Sequence, residues 1–186
     1  TDSTFADDVV LSVVGDSIEE VKIILKREAE KLLRFFSNTL LVPNPEKTEF
    51  MIFYKKSRQT LETITLDGIT LTESKKCKIL GVYFNQTLTW TEHLNFIKGK
   101  VWFRISEMKR LQNKVTKSTL RTVLDSKVLS IIRYGITIFG NPVIDDGNSK
   151  NINFLQVLMN HAMRCVCNVV QKDKVPIESM IENLNL

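Results

Sequence analysis

Apolar residues recur at a helical period early in the chain and then at the spacing of strands. Between residues 18 and 37 they lie three or four positions apart, which predicts an amphipathic helix. Ser17, with Glu20 three residues later, is a capping box, so the helix is predicted to begin there. After a loop in which two prolines exclude a helix, the apolar run at residues 50–54 predicts a buried strand.

Two more strand signals precede residue 88. Asp67 and Gly68 separate two short runs of Ile, Thr and Leu, and both residues tolerate the positive φ angles of a type I′ turn, so a hairpin is predicted. Residues 77–84 predict a further strand. Gly81 inside it indicates either a bulge or a close approach of the backbone to a ligand.

From residue 89 onwards the apolar residues follow a helical period. Thr89 with Glu92 is a second capping box, and apolar stripes predict helices at about residues 89–111, 117–132 and 152–166. Amphipathic helices with short links favour an antiparallel bundle. The sequence therefore predicts an α+β chain, in which residues 1–88 hold antiparallel strands with one packing helix and residues 89–186 hold the helical bundle.

Trp90 and His93 stand at the predicted start of the first bundle helix. Trp90 is interpreted as a hydrophobic staple, with nucleobase stacking as the alternative. His93 is interpreted as an exposed or capping residue, with contact to a phosphate as the alternative. Neither residue is predicted to take part in catalysis.

The composition is that of an ordinary globular chain, with 43% hydrophobic and 25% charged residues among 186. No apolar run approaches the roughly 20 residues of a membrane-spanning helix, so no membrane partner is expected. The three cysteines are too few for a disulfide framework, so we expect an intracellular location, in the nucleus or cytoplasm. Cys165 and Cys167 follow His161, but their spacing favours buried helical thiols over a zinc cluster.

Charge is distributed unevenly along the chain. Residues 1–50 hold six Lys or Arg and ten Asp or Glu, whereas residues 91–133 hold ten Lys or Arg and three Asp or Glu. A basic helical segment beside an acidic one favours contact with the backbone of a nucleic acid, and a solvated helix face is the alternative. The basic positions on the predicted helices include Lys98, Lys100, Arg104, Lys109, Arg110, Lys114, Lys117 and Arg121.

Asp7 and Asp8 are adjacent carboxylates that directly precede an apolar run. The pattern predicts a strand, a tight turn and a second strand, with the two acids at the tip. Because adjacent carboxylates repel each other, a divalent cation would compensate their charge, as Mg²⁺ does at sites of phosphoryl transfer. The alternative interpretation is a solvated acidic turn.

Several motifs in a fixed order give this pair a context. They are Phe-Ala-Asp-Asp at 5–8, Lys-Thr-Glu at 47–49, Leu-Gly-Val at 80–82, Tyr-Gly at 134–135, Leu-Gln at 155–156 and a helix with Asn160 and Arg164. With these motifs in this order, the chain resembles the second half of a reverse transcriptase of the non-LTR retrotransposon kind. The resemblance implies that residues 1–88 are the C-terminal half of the polymerase palm and residues 89–186 a helical thumb.

The resemblance also implies roles for individual residues. Asp7 and Asp8 would bind Mg²⁺, with Asp7 as the metal ligand and Asp8 supporting it. Lys47 would lie near the triphosphate as a candidate proton donor to the leaving pyrophosphate. An RNA template and a DNA primer would be the nucleic-acid partners. Contacts to them are implied for Phe5, which replaces the usual Tyr, for the hairpin residues Leu80 and Gly81, and for Lys98, Arg104, Lys109 and Arg110.

Members of this family carry a further metal-binding Asp and a fingers segment before the catalytic turn. Because the chain starts at Thr1, just before that turn, we expect those parts to come from an upstream segment of the same or another chain. We therefore expect this chain to be inactive alone in template-directed deoxynucleotidyl transfer. The alternative hypothesis is a domesticated remnant that binds nucleic acid or protein.

Overall fold

The structure is a computed structural model, and it describes residues 2–5, 7–54, 60–140, 150–169 and 173–184. The chain forms two compact units. The first unit comprises Thr1–Cys77 and Asn85–Thr87, and the second comprises Lys78–Phe84 and Leu88–Leu186. Packing thus groups Lys78–Phe84 with the helices, and the palm–thumb boundary at residue 88 stays a prediction.

The first unit begins with an antiparallel hairpin that leads into a helix. Strands β1 (Asp2–Phe5) and β2 (Asp8–Leu11) pair with Phe5 opposite Asp8. Helix α1 (Ile18–Asn38) begins where the capping box predicts, and the Ser17 hydroxyl accepts a hydrogen bond from the Glu20 amide at 3.2 Å. The predicted helix is therefore confirmed.

Residues 51–54 form no strand, so the predicted strand at 50–54 is wrong. Phe50 makes one isolated parallel bridge to Glu73, and the Ser74 amide donates to the Phe50 carbonyl at 2.8 Å. Phe50 and Ile52 are buried while Phe53 is exposed, so side chains alternate as in a strand. The sequence pattern reports this alternation, but it contains no information on whether a neighbouring strand supplies a full hydrogen-bond ladder.

The hairpin predicted around Asp67 and Gly68 is confirmed. Strands β3 (Thr63–Leu66) and β4 (Ile69–Thr72) pair antiparallel with Leu66 opposite Ile69. Asp67 and Gly68 have φ angles of 46° and 78°, as a type I′ turn requires. Ile64 of β3 is buried with Phe50 and Ile52 in the core of the first unit.

The continuous strand predicted at residues 77–84 is wrong, because the chain reverses in its middle. Strand β5 (Lys76–Ile79) pairs with β6 (Val82–Asn85) in a second tight hairpin. Leu80 and Gly81 at its tip have φ angles of 46° and 85°. Two successive positive φ angles turn the chain back on itself, in agreement with the Leu-Gly-Val hairpin that the family resemblance implies.

We expect Gly81→Ala to lower the free energy of unfolding of the second unit by about 1 kcal/mol, because an L residue is strained at positive φ. Gly99→Ala is the matched control, since Gly99 lies inside a helix with open space around its Cα. It should raise stability by roughly 0.5–1 kcal/mol. Urea denaturation followed by tryptophan fluorescence measures both variants, and equal effects of the two substitutions would contradict the positive-φ argument.

Helices make up most of the second unit. They are α2 (Thr91–Leu111), α3 (Lys117–Val123), a π-helical turn (Leu124–Leu129), α4 (Ser130–Arg133), α5 (Ile136–Phe139), α6 (Lys150–Cys167) and α7 (Ile177–Leu184). The three predicted bundle helices are confirmed in outline, and α7 was not predicted. Ile152, which is predicted on the last apolar stripe, has its side chain outside the described part of the chain. None of the described helices is long and apolar enough to cross a membrane.

Apolar side chains from all the helices of the second unit and from strand β6 form its core. On α2 the buried residues recur at helical spacing, as predicted, although Leu111 at the end of the stripe is 37% exposed. Core residues on these elements include Leu94, Ile97, Val101, Ile105, Met108, Ile132, Leu155, Leu158, Ala162 and Val166. The helical stripes therefore identified most of this core.

Helix α2 starts one residue later than the predicted capping box implies, because Trp90 and not Thr89 takes the N-cap position. Helix α2 begins after Trp90, whose backbone is left-handed with φ 62° and whose side chain makes no capping hydrogen bond. Only 3% of Trp90 is exposed, and its ring packs against Phe84 and Phe139 with centroid distances of 5.3 and 6.5 Å. Burial of the indole therefore sets the helix start, and the ring is unavailable for nucleobase stacking.

His93 is also buried, so its interpretation as an exposed or capping residue is wrong. It is 2% exposed, and its Nδ1 accepts a hydrogen bond from the Tyr83 amide at 3.3 Å. Its ring stands edge-on to Phe139 with centroids 4.7 Å apart. Burial disfavours the imidazolium and lowers the pKa of His93 below its ordinary value.

This lowered pKa predicts a pH dependence of the second unit. The unfolded chain binds a proton on His93 near pH 6.5, whereas the folded chain resists it, so stability should fall as pH drops through that region. We expect His93→Gln, which keeps an acceptor for the Tyr83 amide, to lose stability less steeply between pH 7.5 and 5. Urea denaturation followed by tryptophan fluorescence at several pH values tests this, and parallel curves for the two proteins would contradict it.

Candidate functional site

Asp7 and Asp8 lie at the tip of the β1–β2 hairpin, as predicted. Asp8 begins β2 opposite Phe5, and both carboxylates are exposed. Within the described ranges, neither side chain has an ion-pair partner. Phe5 is 66% exposed beside them, so the tip presents two oxygen-ligand side chains and one free aromatic ring.

An apolar recess lies behind this hairpin in the first unit. A cavity of about 770 Å³ is bordered by Val9 and Leu11 of β2 and by Ile24 and Phe35 of α1. On its rim, Glu28 receives hydrogen bonds from Lys31 and Arg27, which lower the pKa of Glu28. The hairpin is therefore backed by α1 through mainly apolar side chains.

Lys47 ends a short 3₁₀ turn, Pro45–Lys47, and not a strand. The Asn44 side chain starts this turn by accepting a hydrogen bond from the Glu46 amide at 2.9 Å. Lys47 is exposed and, among the described residues, forms no ion pair with Asp7 or Asp8. Its role beside a triphosphate stays a prediction.

Glu73 is a buried carboxylate that the sequence did not reveal. It is 2% exposed and accepts hydrogen bonds from the Tyr54 hydroxyl at 3.0 Å and the Gln86 amide nitrogen at 2.6 Å. The Glu62 backbone amide donates to its other oxygen at 2.9 Å. These donors come from three separate segments, so Glu73 joins them within the first unit.

Leu80 and Gly81 are held at the tip of the β5–β6 hairpin by Tyr134. The Tyr134 hydroxyl donates a hydrogen bond to the Leu80 carbonyl. A Cβ atom added to Gly81 would lie 3.4 Å from the Tyr134 ring, and one added to Gly135 would lie 3.2 Å from the Val82 side chain. The Tyr-Gly motif at 134–135 therefore packs on the Leu-Gly-Val hairpin, which explains why both motifs occur in one chain.

The four basic residues for which nucleic-acid contact is predicted all lie on helix α2, but they differ in exposure and in ion pairing. Lys98, Lys109 and Arg110 are exposed. Arg104 is partly neutralised, because its Nη1 lies 2.7 Å from a Glu107 carboxylate oxygen. The exposed positions fit a polyanion contact better than Arg104 does.

A second basic feature lies where the β5–β6 hairpin meets α2 within the second unit. Lys100 lies over the Phe96 ring at 4.3 Å from the centroid, and Lys78 approaches the same ring at 5.5 Å. Sequence analysis missed Lys78, because strand β5 and helix α2 are brought together only by the fold.

Cys165 and Cys167 both lie in α6, as predicted, but only Cys165 is buried, and Cys167 is partly exposed. Cys165 is buried in α6, and burial raises the pKa of its thiol. Within the described residues, no group of three or more His, Cys, Asp and Glu side chains lies close enough to hold a metal ion. If Asp7 and Asp8 bind a metal ion, they supply two carboxylates, and its other ligands lie outside the described residues.

Most of the chain is similar to part of a transposon protein. The chain is 29% identical over 168 residues, 88% of this chain, to a Drosophila melanogaster protein named "Probable RNA-directed DNA polymerase from transposon BS". This similarity confirms the resemblance to transposon reverse transcriptases that the ordered motifs predict. The matched region is 18% of the relative's own length. No protein-family profile and no solved structure matches the chain.

Proposed function

We propose that this chain is the part of a reverse transcriptase that carries the tandem aspartates of the polymerase site and the helical unit that follows them. The observation that carries the proposal is the exposed Asp7–Asp8 pair at a hairpin tip, in a chain related to an RNA-directed DNA polymerase. The first unit would contribute to the palm, and the second would act as the thumb. Reverse transcription would take place in the nucleus or cytoplasm.

Asp7 and Asp8 fit Mg²⁺ because they offer exposed carboxylate oxygens that form no ion pair with another described residue, and such oxygens are the ligands that this hard cation prefers. When bound, Mg²⁺ would stabilise the charge on the transferred phosphate and activate the primer hydroxyl. Asp7 would be the ligand and Asp8 would support its position and charge. Lys47, whose ammonium is exposed, would donate a proton to the leaving pyrophosphate.

Primer and template would contact the exposed groups around the second unit. Leu80 and Gly81, fixed by Tyr134, would lie against the primer backbone, and Phe5 of the first unit would contact the primer end. Lys98, Lys109 and Arg110 would neutralise phosphates, and Arg104 would do so after releasing Glu107.

Polymerisation would need more protein than this chain. A site with two Mg²⁺ ions requires carboxylate ligands that clamp both ions, and Asp7 with Asp8 provides only part of such a set. We therefore expect further ligands from another segment of the polymerase. This chain alone should bind primer–template duplex without extending the primer.

Two measurements, made on this chain and on a longer polymerase that contains it, test the proposal. Binding of an RNA–DNA primer–template by this chain should weaken steeply with added salt, because phosphate contacts release counterions. Primer extension with Mg²⁺ should occur only with a longer polymerase that contains the chain. Absence of duplex binding at low salt would overturn the proposed role, and primer extension by the short chain would overturn the proposed need for further ligands.

A further inference from the structure

Helices α2 and α6 enclose a small basic cavity between their C-terminal ends. It has a volume of about 210 Å³ and is lined by Lys109 and Gln112 from the α2 end and by His161 and Arg164 from α6. Among the described residues that line it, none is Asp or Glu. The described lining therefore combines two permanent cations with further hydrogen-bond donors and contains no carboxylate to neutralise them.

One donor of this cavity, a side-chain nitrogen of Arg164, lacks a hydrogen-bond acceptor among the described residues. This nitrogen, Nη1, is buried, and no described residue accepts a hydrogen bond from it. A buried donor without an acceptor is costly, and a buried guanidinium nitrogen more so, because its charge is also poorly solvated. Gln112, in contrast, is satisfied: its Nε2 donates to the Cys165 carbonyl and to the Asn168 Oδ1, each at 2.8 Å.

A structural explanation accounts for only part of this arrangement. Lys109 lies in the last turn of α2 and Arg164 in the last turn of α6, where cations stabilise a helix dipole. That explains their positions along the helices. It does not explain why the Arg164 Nη1 is buried without an acceptor, nor why a second cation, Lys109, lines the same cavity.

We propose that this cavity binds a phosphate group, with Arg164 and Lys109 as its charged donors and His161 as a further donor. Arg suits this role because its planar fork can donate two parallel hydrogen bonds to phosphate oxygens. His161 is held in place by Trp102, whose ring centroid lies 5.0 Å from its own. The phosphate would come from a nucleic-acid backbone or from free phosphate, and the former source rests on the proposed function.

The test uses this chain and two ligands, inorganic phosphate and an RNA–DNA primer–template duplex. Phosphate binding is followed through the NMR signals of the His161 ring and of the Arg164 side chain. Duplex binding is followed by fluorescence anisotropy at several salt concentrations. The variants are Arg164→Gln and Lys109→Gln, and Lys127→Gln is the matched control, because Lys127 is exposed and lies outside the cavity.

Loss of a charge-assisted hydrogen bond should weaken phosphate binding about tenfold in each cavity variant. If the duplex uses the cavity, the same variants should also lower the salt slope of duplex binding by about one, and Lys127→Gln should leave phosphate binding unchanged. Weaker phosphate binding with unchanged duplex binding would support the site and assign it to free phosphate. Phosphate binding that is the same in all variants, or undetectable in the parent chain, would overturn the inference.

Failure of this inference can be told apart from failure of the proposed function. If the parent chain binds duplex but both cavity variants bind inorganic phosphate normally, the cavity is wrong and the proposed function stands. If no duplex binds but phosphate still shifts the His161 signals in an Arg164-dependent way, the cavity stands and the proposed function falls. Should Arg164→Gln fail to fold, binding of inorganic phosphate by Lys109→Gln decides the outcome, because the proposed function already gives Lys109 a contact with the duplex.

Discussion

Asp7→Asn is expected to reduce Mg²⁺-dependent primer extension by on the order of 100-fold or more, in a longer polymerase that contains this chain. Asparagine keeps the size of the side chain and the exposed position at the hairpin tip, but it removes the charge that holds a divalent cation. Asp8→Asn should have a smaller effect, because we assign Asp8 a supporting role. Primer extension under single-turnover conditions measures both effects.

Asp67→Asn is the control for Asp7→Asn. Asp67 also lies at a hairpin tip, between β3 and β4, and Asn tolerates its positive φ angle. Extension should be unchanged in this variant. Equal activity of the Asp7→Asn and Asp67→Asn proteins would show that the carboxylate of Asp7 does not hold the catalytic cation.

Metal binding can also be measured on the chain itself. Mn²⁺ can replace Mg²⁺ on carboxylate ligands and broadens the NMR signals of nearby nuclei. We expect selective broadening of the Asp7 and Asp8 amide signals at low Mn²⁺ concentration, with loss of this effect in the Asp7→Asn protein. Broadening that is no stronger there than at the exposed Asp67 would contradict a metal site at the β1–β2 tip.

Local signals in the sequence predicted the local structure well. The capping box at Ser17 and the Asp67–Gly68 turn depend on neighbouring residues only, and both are found as predicted. The aspartate pair was placed correctly at a hairpin tip for the same reason. The helical stripe of α2 identified core residues because its period is set by the backbone alone.

Predictions failed where distant segments decide the structure. Residues 50–54, predicted as a strand, lack a ladder of backbone hydrogen bonds. The segment that contains Glu73 pairs with them through one isolated bridge, at Phe50. The start of α2 is set by burial of Trp90 against Phe84 and Phe139, neither of which follows it closely in sequence. The basic cavity around Arg164 likewise exists only because α2 and α6 end side by side. Sequence periodicity carries no information on such pairings.

The Glu73 carboxylate offers the largest expected effect on the stability of the first unit. Replacing it by Leu would leave the Tyr54 hydroxyl, the Gln86 amide and the Glu62 backbone amide without the acceptor they now share. A buried donor that loses its acceptor costs about 1–3 kcal/mol. We therefore expect Glu73→Leu to lower the free energy of unfolding of this unit by roughly 3–5 kcal/mol.

Glu73→Gln should fall between the parent chain and Glu73→Leu. Its amide keeps one acceptor oxygen but turns a donor towards groups that are themselves donors, so one of the present hydrogen bonds must be lost. Glu46→Gln is the matched control. Glu46 is exposed, and its replacement should change stability by less than about 0.5 kcal/mol.

Measurement must separate the two units. Both tryptophans, Trp90 and Trp102, belong to the second unit, so their fluorescence reports on that unit alone. Hydrogen exchange at the Tyr54 and Glu73 amides, which bond to the Gln86 and Glu62 carbonyls, reports on the first. Glu73→Leu should speed exchange at these amides by more than 100-fold, about the factor expected for 3 kcal/mol. Exchange no faster than in Glu46→Gln would mean that the Glu73 carboxylate does not hold these segments together.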